Sequence, residues 1–302
     1  HPPAPAGAVM LSVVIVNWNA GPALDACLAS VAADGFNDRN DREDREVIVV
    51  DNASSDHSAT AAQARYPWLR LVETGGNLGF AGGANRGAAV AQGETLVFLN
   101  PDARVEPGAV ARLTAALALV PGAGIAGGGL VDEGGRWQPG AARFGVVAHL
   151  LLDTTIGRFP FRARREPYRV DWVYGTFMAV RRDLFSQLGG FDTRHFLYGE
   201  DLDLCHRAAR LGARTIHVPQ ARAIHGRNVS ATQRYGRGRE AEVVKGEIRF
   251  YAHRGRPGEV VLYRALAAGK FGLKALVAAV TGRHGVASTY AGVVRACVSY
   301  RP

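Results

Sequence analysis

Four groups of residues in this 302-residue chain carry side chains that can do chemistry. The densest is Tyr198-Gly199-Glu200-Asp201-Leu202-Asp203, with three carboxylates in four positions. A carboxylate can take the proton of a hydroxyl within hydrogen-bond reach. Acids entering a helix also suit its dipole, so capping explains part of the cluster. The second group is Leu99-Asn100-Pro101-Asp102. Asp102 can bind a hard cation that bridges phosphate oxygens, or it can be a simple turn residue after Pro101. The third pairs Asn17-Trp18-Asn19 with Asp51-Asn52-Ala53-Ser54-Ser55-Asp56. Amides and carboxylates of this kind read base and ribose edges, or make turn and cap hydrogen bonds. The fourth is the Gly-rich run 75–87, GGNLGFAGGANRG, which meets neither GxGxxG nor Walker spacing. Leading into a helix, it offers N–H groups to an anion, and Arg86 within it favours a diphosphate. His225 stands alone after a strand, as a structural histidine or a ligand.

These groups need elements to hold them. Leu11–Asn17, Glu46–Asp51, Leu69–Glu73 and Glu94–Asn100 are short apolar runs that read as buried strands. Helical patterns follow each: Gly21–Ala33, a helix capped by Ser54 or Ser55 and running to Arg65, Ala84–Gln92 and Pro107–Leu119. Strands alternating with helices predict an α/β fold with a mostly parallel sheet, and ligands bind beside the strand C-termini of such sheets. Further on, Ile125–Val131, Trp172–Val180 and Arg214–Val218 read as strands, and Arg181–Leu188 and Glu200–Leu211 as helices. After Gly226 only helices are expected.

Charge is distributed unevenly. Residues 1–150 hold 10 basic and 15 acidic side chains, and residues 151–302 hold 26 and 12. Such asymmetry points to an anionic partner for the second half. Composition excludes a disordered chain. Three cysteines are too few for a disulfide framework, which fits a reducing compartment. No apolar run is long enough to cross a membrane. His1–Gly7 lacks the features of a signal peptide and reads as a disordered tail, 1–10.

Taken together, VIVNWN, VVDNASSD, GNLGFAGGANRG, FLNPD, GTFMAVRRDLFSQLGGFDTRHFLYGEDLDLCHR and IH resemble the family 2 inverting glycosyltransferases of the GT-A fold, in their rhamnosyltransferase-like branch. The likeness runs from Leu11 to His225. It implies a Rossmann-like central sheet flanked by helices over 11–225. Residues 11–120 would form the nucleotide-sugar half and 121–225 the acceptor half, with a basic helical extension at 226–302. It implies inverting transfer of a sugar, with rhamnose as the branch-level choice, from a dTDP- or UDP-type donor. Asp201 matches the catalytic base and Glu200 its acidic neighbour. Asn17, Asn19, Asp51, Asn52, Asn77 and Arg86 would lie along the nucleotide. Asp102 matches the last carboxylate of the DxD metal motif, whose first position here is Asn100. Asp102 and His225 would hold Mn²⁺ or Mg²⁺. Gly175 and Thr176 would face the acceptor. Trp172 and Tyr198 would stack on sugar or pack in the core.

Residues 221–302 carry 15 basic and 4 acidic side chains. Their apolar stretches are broken by Arg264, Lys270, Lys274 and Arg283. Such helices either lie on an anionic membrane surface or pack on the catalytic domain or on a second subunit of a homodimer. The implied acceptor is a glycan or a polyprenyl-diphosphate-linked glycan of cell-surface polysaccharide synthesis. The implied location is cytoplasmic, peripheral at the inner face of the plasma membrane. Two alternatives stand beside this reading. One is a non-catalytic sugar-nucleotide binder, prompted by Asn100. The other is a nucleic-acid-binding protein, prompted by the basic charge but lacking any recognised motif, so no nucleic-acid partner is expected.

Overall fold

The computed structural model describes residues 11–36, 45–145, 164–226, 236–254 and 256–302. The expected tail at 1–10 lies outside them, as does nearly all of the segment 37–45, whose charged residues read as a loop. Strands β1 (Leu11–Asn17), β2 (Arg45–Asp51), β3 (Arg70–Glu73) and β4 (Thr95–Leu99) are parallel, in the order β3-β2-β1-β4. β1 is buried along its whole length, which is why LSVVIVN shows no alternation. Helices α1 (Pro22–Val31), α2 (Ser58–Arg65) and α3 (Gly79–Val90) make the connections. Registration sets Asn17 opposite Asp51 and Asp51 opposite Glu73, so the candidate residues share one sheet edge.

β5 (Ala103–Val105) and α4 (Ala109–Leu119) lead to β6 (Ala123–Val131), β7 (Trp137–Gln138) and β8 (Ala141–Ala142). Next come β9 (Tyr168–Val170), β10 (Trp172–Val173), β11 (Phe177–Arg181), α5 (Arg182–Gln187), α6 (Glu200–Arg210) and β12 (Arg214–His225). The sheet continues as β4-β11-β6-β12-β5. β11 runs antiparallel to both its neighbours, so the second half is mixed where the first is parallel. Helices cover the sheet, as the α/β reading expects.

Three local expectations change. The run Trp172–Val180 is not one strand, because β10 pairs with β8 in a separate two-stranded sheet while β11 pairs with β4 and β6. The strand expected to end at Val218 continues to His225. Val218 pairs with Gly128 and Arg222 with Gly129, so Pro219–Ala221 bulge out between them. Proline cannot donate to a ladder and is accommodated at such a bulge. The helix expected from Ala84 begins five residues earlier, at Gly79.

The C-terminal part is helical, as expected: α7 (Arg239–His253), α8 (Pro257–Val280) and α9 (His284–Ser299). These helices share one core with the sheet. Ile248, Phe250, Tyr251, Tyr263 and Phe271 belong to the same buried cluster as Phe98, Phe185 and Phe191. Phe191 meets Phe98 edge-on at 4.9 Å, and Tyr251 stacks on Tyr263 at 5.0 Å. No helix among the described residues is long and apolar enough to cross a membrane. All three cysteines are free and buried.

A shared core has a thermodynamic consequence. Tyr251→Ala in α7 should cost about 3–5 kcal/mol, the range for a buried aromatic truncated to alanine. Guanidinium unfolding should show one transition whether read by helix signal or by tryptophan fluorescence. Two separated transitions would mean that the helices fold as an independent unit.

Candidate active site

The first layer of the site is bracing. Asn17 is fully buried, and its Nδ2 donates to Ser58 Oγ (2.9 Å), Ser54 Oγ (3.0 Å) and Asp51 Oδ1 (3.3 Å). Asn19, at φ 50°, accepts the Ser55 N–H at 2.7 Å. Asp51 accepts the Ser54 N–H at 3.4 Å. The helix expected to be capped by Ser54 or Ser55 starts at Ser58 with His57 at its N-cap, and Asp56 Oδ1 accepts the Ser58 N–H at 3.0 Å. Asn17, Asn19 and Asp51 therefore tie the ends of β1 and β2 together, and none of them lines the cavity described below.

Asn52 is the second layer. It is 2% exposed, and its amide bonds the Gly-rich run and, through Oδ1 at 3.3 Å, the Thr74 hydroxyl just before it. Oδ1 accepts the Leu78 N–H at 2.9 Å, and Nδ2 donates to Gly79 O (2.9 Å) and Asn77 Oδ1 (3.1 Å). Asn77 Oδ1 in turn accepts the Gly79 N–H at 3.0 Å. The Phe80 N–H goes to Phe196 O at 2.9 Å. The N–H groups of residues 78–80 are thus satisfied inside the protein, not held open for an anion as the glycine content suggested. Gly79 has φ 72°, and a Cβ there would lie 2.1 Å from Phe196 O. Its absence lets α3 dock directly on the segment that leads into α6. Because α3 starts at Gly79, Arg86 falls two turns into the helix, is exposed and does not line the cavity.

Asp102 and His225 meet through the β5–β12 pairing, which sets His225 opposite Ala103. Both side chains are nearly buried, with His225 Nε2 3.5 Å from Asp102 Oδ1. Gln138 fixes the imidazole. Its amide Nε2 donates to His225 O at 3.2 Å, which leaves Oε1 facing His225 Nδ1 at 3.2 Å. A carbonyl only accepts, so this amide orientation puts the proton on Nδ1 and the lone pair on Nε2. That buried Nε2 has no hydrogen-bond partner. A lone pair beside a carboxylate, its ring held by a second residue, has the chemistry that could hold a cation. Asn100 is bound to Thr176 through its N–H (2.9 Å) and, more loosely, its side chain (3.5 Å).

The N-terminus of α6 faces Asp102 across a cavity of about 660 Å³ lined by both groups. Asp201 Oδ2 accepts the Gly175 N–H at 2.9 Å, and Oδ1 accepts the Leu202 N–H at 2.8 Å. Its carboxylate is therefore held in one orientation. Glu200 is buried, and its Oε2 has no hydrogen-bond partner. Burial, reinforced by the charge of Asp201, raises its pKa well above the ordinary 4.5. The preceding turn is left-handed at Tyr198 (φ 69°) and Gly199 (φ 94°). It packs on Gly246 of α7, where an added Cβ would sit 2.4 Å from Tyr198 O. Asp203, the third carboxylate of the cluster, pairs with Arg207 at 2.7 Å and does structural work.

Of the residues singled out in the sequence, the cavity gathers Asn52, Asn77, Asp102, Trp172, Gly175, Thr176, Tyr198, Glu200, Asp201 and His225. Trp172 is only 4% exposed and packs on Tyr174 at 4.8 Å, mainly a core residue. The Tyr198 hydroxyl accepts from Arg239 Nε at 2.9 Å. Sequence reasoning missed Gln138 and the wall supplied by α7 and α8, which includes Arg239, Glu247, Lys270 and Lys274. One signal was available: Lys270 and Lys274 are two of only three lysines in the chain. Behind the turn, Asp192, His195 and His253 bring ligand atoms within 4.8 Å of one another. There Arg194 already binds the Asp192 carboxylate and holds its pKa down at about 2.

This fold and cavity define a GT-A glycosyltransferase. The family model "Glycosyl transferase family 2" matches residues 12–189. The chain is 33% identical over 240 residues to an N-acetylglucosaminyl-diphospho-decaprenol L-rhamnosyltransferase of Mycobacterium tuberculosis, covering 72% of this chain and 76% of that one. It is 36% identical over 87 residues to rhamnosyltransferase WbbL of Escherichia coli, covering 28% and 33%. Among solved structures it resembles the mannosyltransferase PcManGT of Pyrobaculum calidifontis in complex with GDP-Man and Mn²⁺. That likeness has a TM-score of 0.62 at 17% identity, over 98% of this chain and 89% of the other. A second, GalNAc-T7 with UDP, GalNAc and Mn²⁺, gives a TM-score of 0.56 at 19% identity, over 72% of this chain and 43% of that one. The chain belongs to glycosyl transferase family 2, on its rhamnosyltransferase-like side, and is a sugar-transferring enzyme.

Two outcomes test this geometry. Asn52→Ala leaves the Leu78 N–H without its partner and should cost about 1–3 kcal/mol in urea unfolding. A loss below a few tenths would contradict the clamp. For Glu200, the folded pKa is raised, so the folded state holds the proton more tightly than the unfolded chain. Stability carried by that proton is present below pH 4.5 and is lost as pH rises toward the folded pKa. Glu200→Gln keeps a neutral side chain at every pH. Its stability relative to wild type should therefore rise as pH increases above 4.5, and a pH-independent difference would contradict the buried neutral acid.

Proposed function

We propose that the protein catalyses inverting, metal-dependent transfer of a hexose, rhamnose, from a dTDP- or UDP-type donor to a polyprenyl-diphosphate-linked glycan in cell-surface polysaccharide synthesis. The observation that carries the mechanism is the contrast between adjacent acids. Two neighbouring carboxylates on one wall do not both ionise cheaply. Burial favours the proton on Glu200, while the two backbone N–H groups held by Asp201 orient its carboxylate to act as the base.

In this reading the acceptor hydroxyl lies against Asp201, beside Gly175 and Thr176. Asp201 takes its proton as the oxygen attacks the anomeric carbon from the face opposite the leaving diphosphate. Asn52 and Asn77 hold the edge on which the nucleotide lies, with Asp51, Asn17 and Asn19 bracing that edge. Asp102 and His225 would hold the divalent cation, Mn²⁺ or Mg²⁺, with Gln138 keeping the imidazole lone pair turned inward. When bound, the cation supplies positive charge beside the departing diphosphate. Rhamnose and the lipid-diphosphate acceptor are carried from the activity for which the mycobacterial relative is named. Peripheral placement on the cytoplasmic side of a membrane follows from that acceptor.

Asp201→Asn should lower sugar transfer by about 10²–10⁴-fold, the range for loss of a general base. Stabilisation by the nucleoside diphosphate in a thermal shift should be unchanged. Equal activity in wild type and variant across a donor panel would overturn the assignment. His225→Ala should abolish the extra stabilisation that Mn²⁺ adds to nucleoside diphosphate. Retention of that increment would place the cation elsewhere.

A further inference from the structure

Helix α8 is 24 residues long and has two unlike sides. One side carries the buried Tyr263, Ala267 and Phe271 into the shared core, with Ala278 also buried. The other exposes Leu262 (44%), Leu266 (38%), Leu273 (63%), Leu276 (61%), Val277 (55%) and Val280 (80%). Spacings of four, seven, three, one and three keep these residues on one stripe at about 3.6 residues per turn. Among the described residues, twelve large hydrophobic side chains are exposed, and nine of them lie on α8 or α9. A contiguous exposed apolar stripe marks an interaction surface.

Lys270 and Lys274 lie on the border between the two sides. Both line the catalytic cavity, with Lys270 half-buried and Lys274 exposed. Phe271, between them, has Lys270 Nζ at 5.3 Å and Lys274 Nζ at 5.2 Å from its ring. Two ammonium groups thus stand where the cavity wall turns into the apolar stripe. A ligand that fits this junction has an anionic head within reach of the cavity and a hydrocarbon tail along the helix. A nucleotide has the first property and lacks the second. A polyprenyl diphosphate in a bilayer has both.

We infer that α8 lies on the membrane leaflet through its leucine stripe, and that Lys270 and Lys274 receive the diphosphate of the polyprenyl-linked acceptor at the cavity mouth. This rests on the lipid-diphosphate acceptor of the proposed function and assigns the residues that select it. The two elements work together. The stripe sets the depth of the enzyme on the membrane, and the lysines fix the diphosphate so that the sugar beyond it enters toward Asp201.

Co-sedimentation with two vesicle types tests the assignment. One is phosphatidylcholine with undecaprenyl diphosphate. The other is phosphatidylcholine with phosphatidylglycerol at matched surface charge. Wild type should bind the first about tenfold more tightly, a difference that counterion attraction alone does not produce. Lys270→Gln/Lys274→Gln should bring that preference down to parity. Leu266→Glu/Leu273→Glu should lose binding to both vesicles, and Val280→Glu, at an 80% exposed site, serves as the second variant if the double one does not fold. Equal binding of wild type to both vesicles, or an undiminished preference in the lysine variant, overturns the diphosphate site. A chain that dimerises through the stripe, with vesicle binding unaffected by Leu266→Glu/Leu273→Glu, overturns the membrane face. Nucleoside-diphosphate stabilisation is measured on every variant. Its absence in wild type would refute the donor reading, and the vesicle results are read independently of it.

Discussion

The site depends on one close approach. The left-handed turn at Tyr198–Gly199 starts α6, and it has its shape because Gly246 of α7 lets the Tyr198 carbonyl come within van der Waals distance. On the other side of the same segment, the Phe196 carbonyl meets the start of α3 at Gly79. Between these two contacts the chain has no freedom to place Glu200 and Asp201 differently. Glu200 turns into the protein, and Asp201 turns to Gly175 and the cavity. Packing thus raises the pKa of Glu200 and fixes the orientation of the Asp201 carboxylate beside it. In the proposed mechanism the helical extension therefore helps to place the catalytic acids, although it lies beyond the region that the family model matches.

The arginine surplus is also put to work in a way that net charge does not reveal. Arg207 donates to Leu188 O and Gly190 O, where α5 ends. Arg182 binds Ala91 O and Gly93 O just past α3, and Arg264 binds Cys297 O and Tyr300 O at the end of α9. The last carbonyls of a helix have no intrahelical donor, and a planar guanidinium can satisfy two at once. These three arginines are therefore internal carpentry, whereas Lys270 and Lys274 of α8 line the cavity.

The parallel half of the fold was legible because β1, β2 and β4 are covered on both faces and so write their burial as unbroken apolar runs. The N-terminus of α6 and the Asp102 turn were legible because chemistry demands those residue types. Other features depend on contacts distant in sequence. That Trp172–Val180 divides between two sheets follows from pairing with Ala141–Ala142 and with β4, which no local pattern encodes. The bulge at Pro219 hides the continuation of β12, and with it the pairing that delivers His225 to Asp102. The glycines of residues 75–83 suggested an anion cradle, whereas Asn52 and Asn77 consume the relevant N–H groups. Gln138, which settles the histidine tautomer, gives no signal in the sequence at all.

The claim that the extension shapes the catalytic turn is tested most directly by Gly246→Ala, assayed for sugar transfer and nucleoside-diphosphate binding on the same folded sample. A methyl group at Gly246 pushes the Tyr198 carbonyl and with it Asp201, while the nucleotide edge at Asn52 is untouched. Transfer is expected to fall at least about tenfold, since small misplacements of catalytic groups cost rate steeply, with nucleotide stabilisation retained. A folded Gly246→Ala protein with wild-type transfer would contradict the account and return α7 to the role of a packing element.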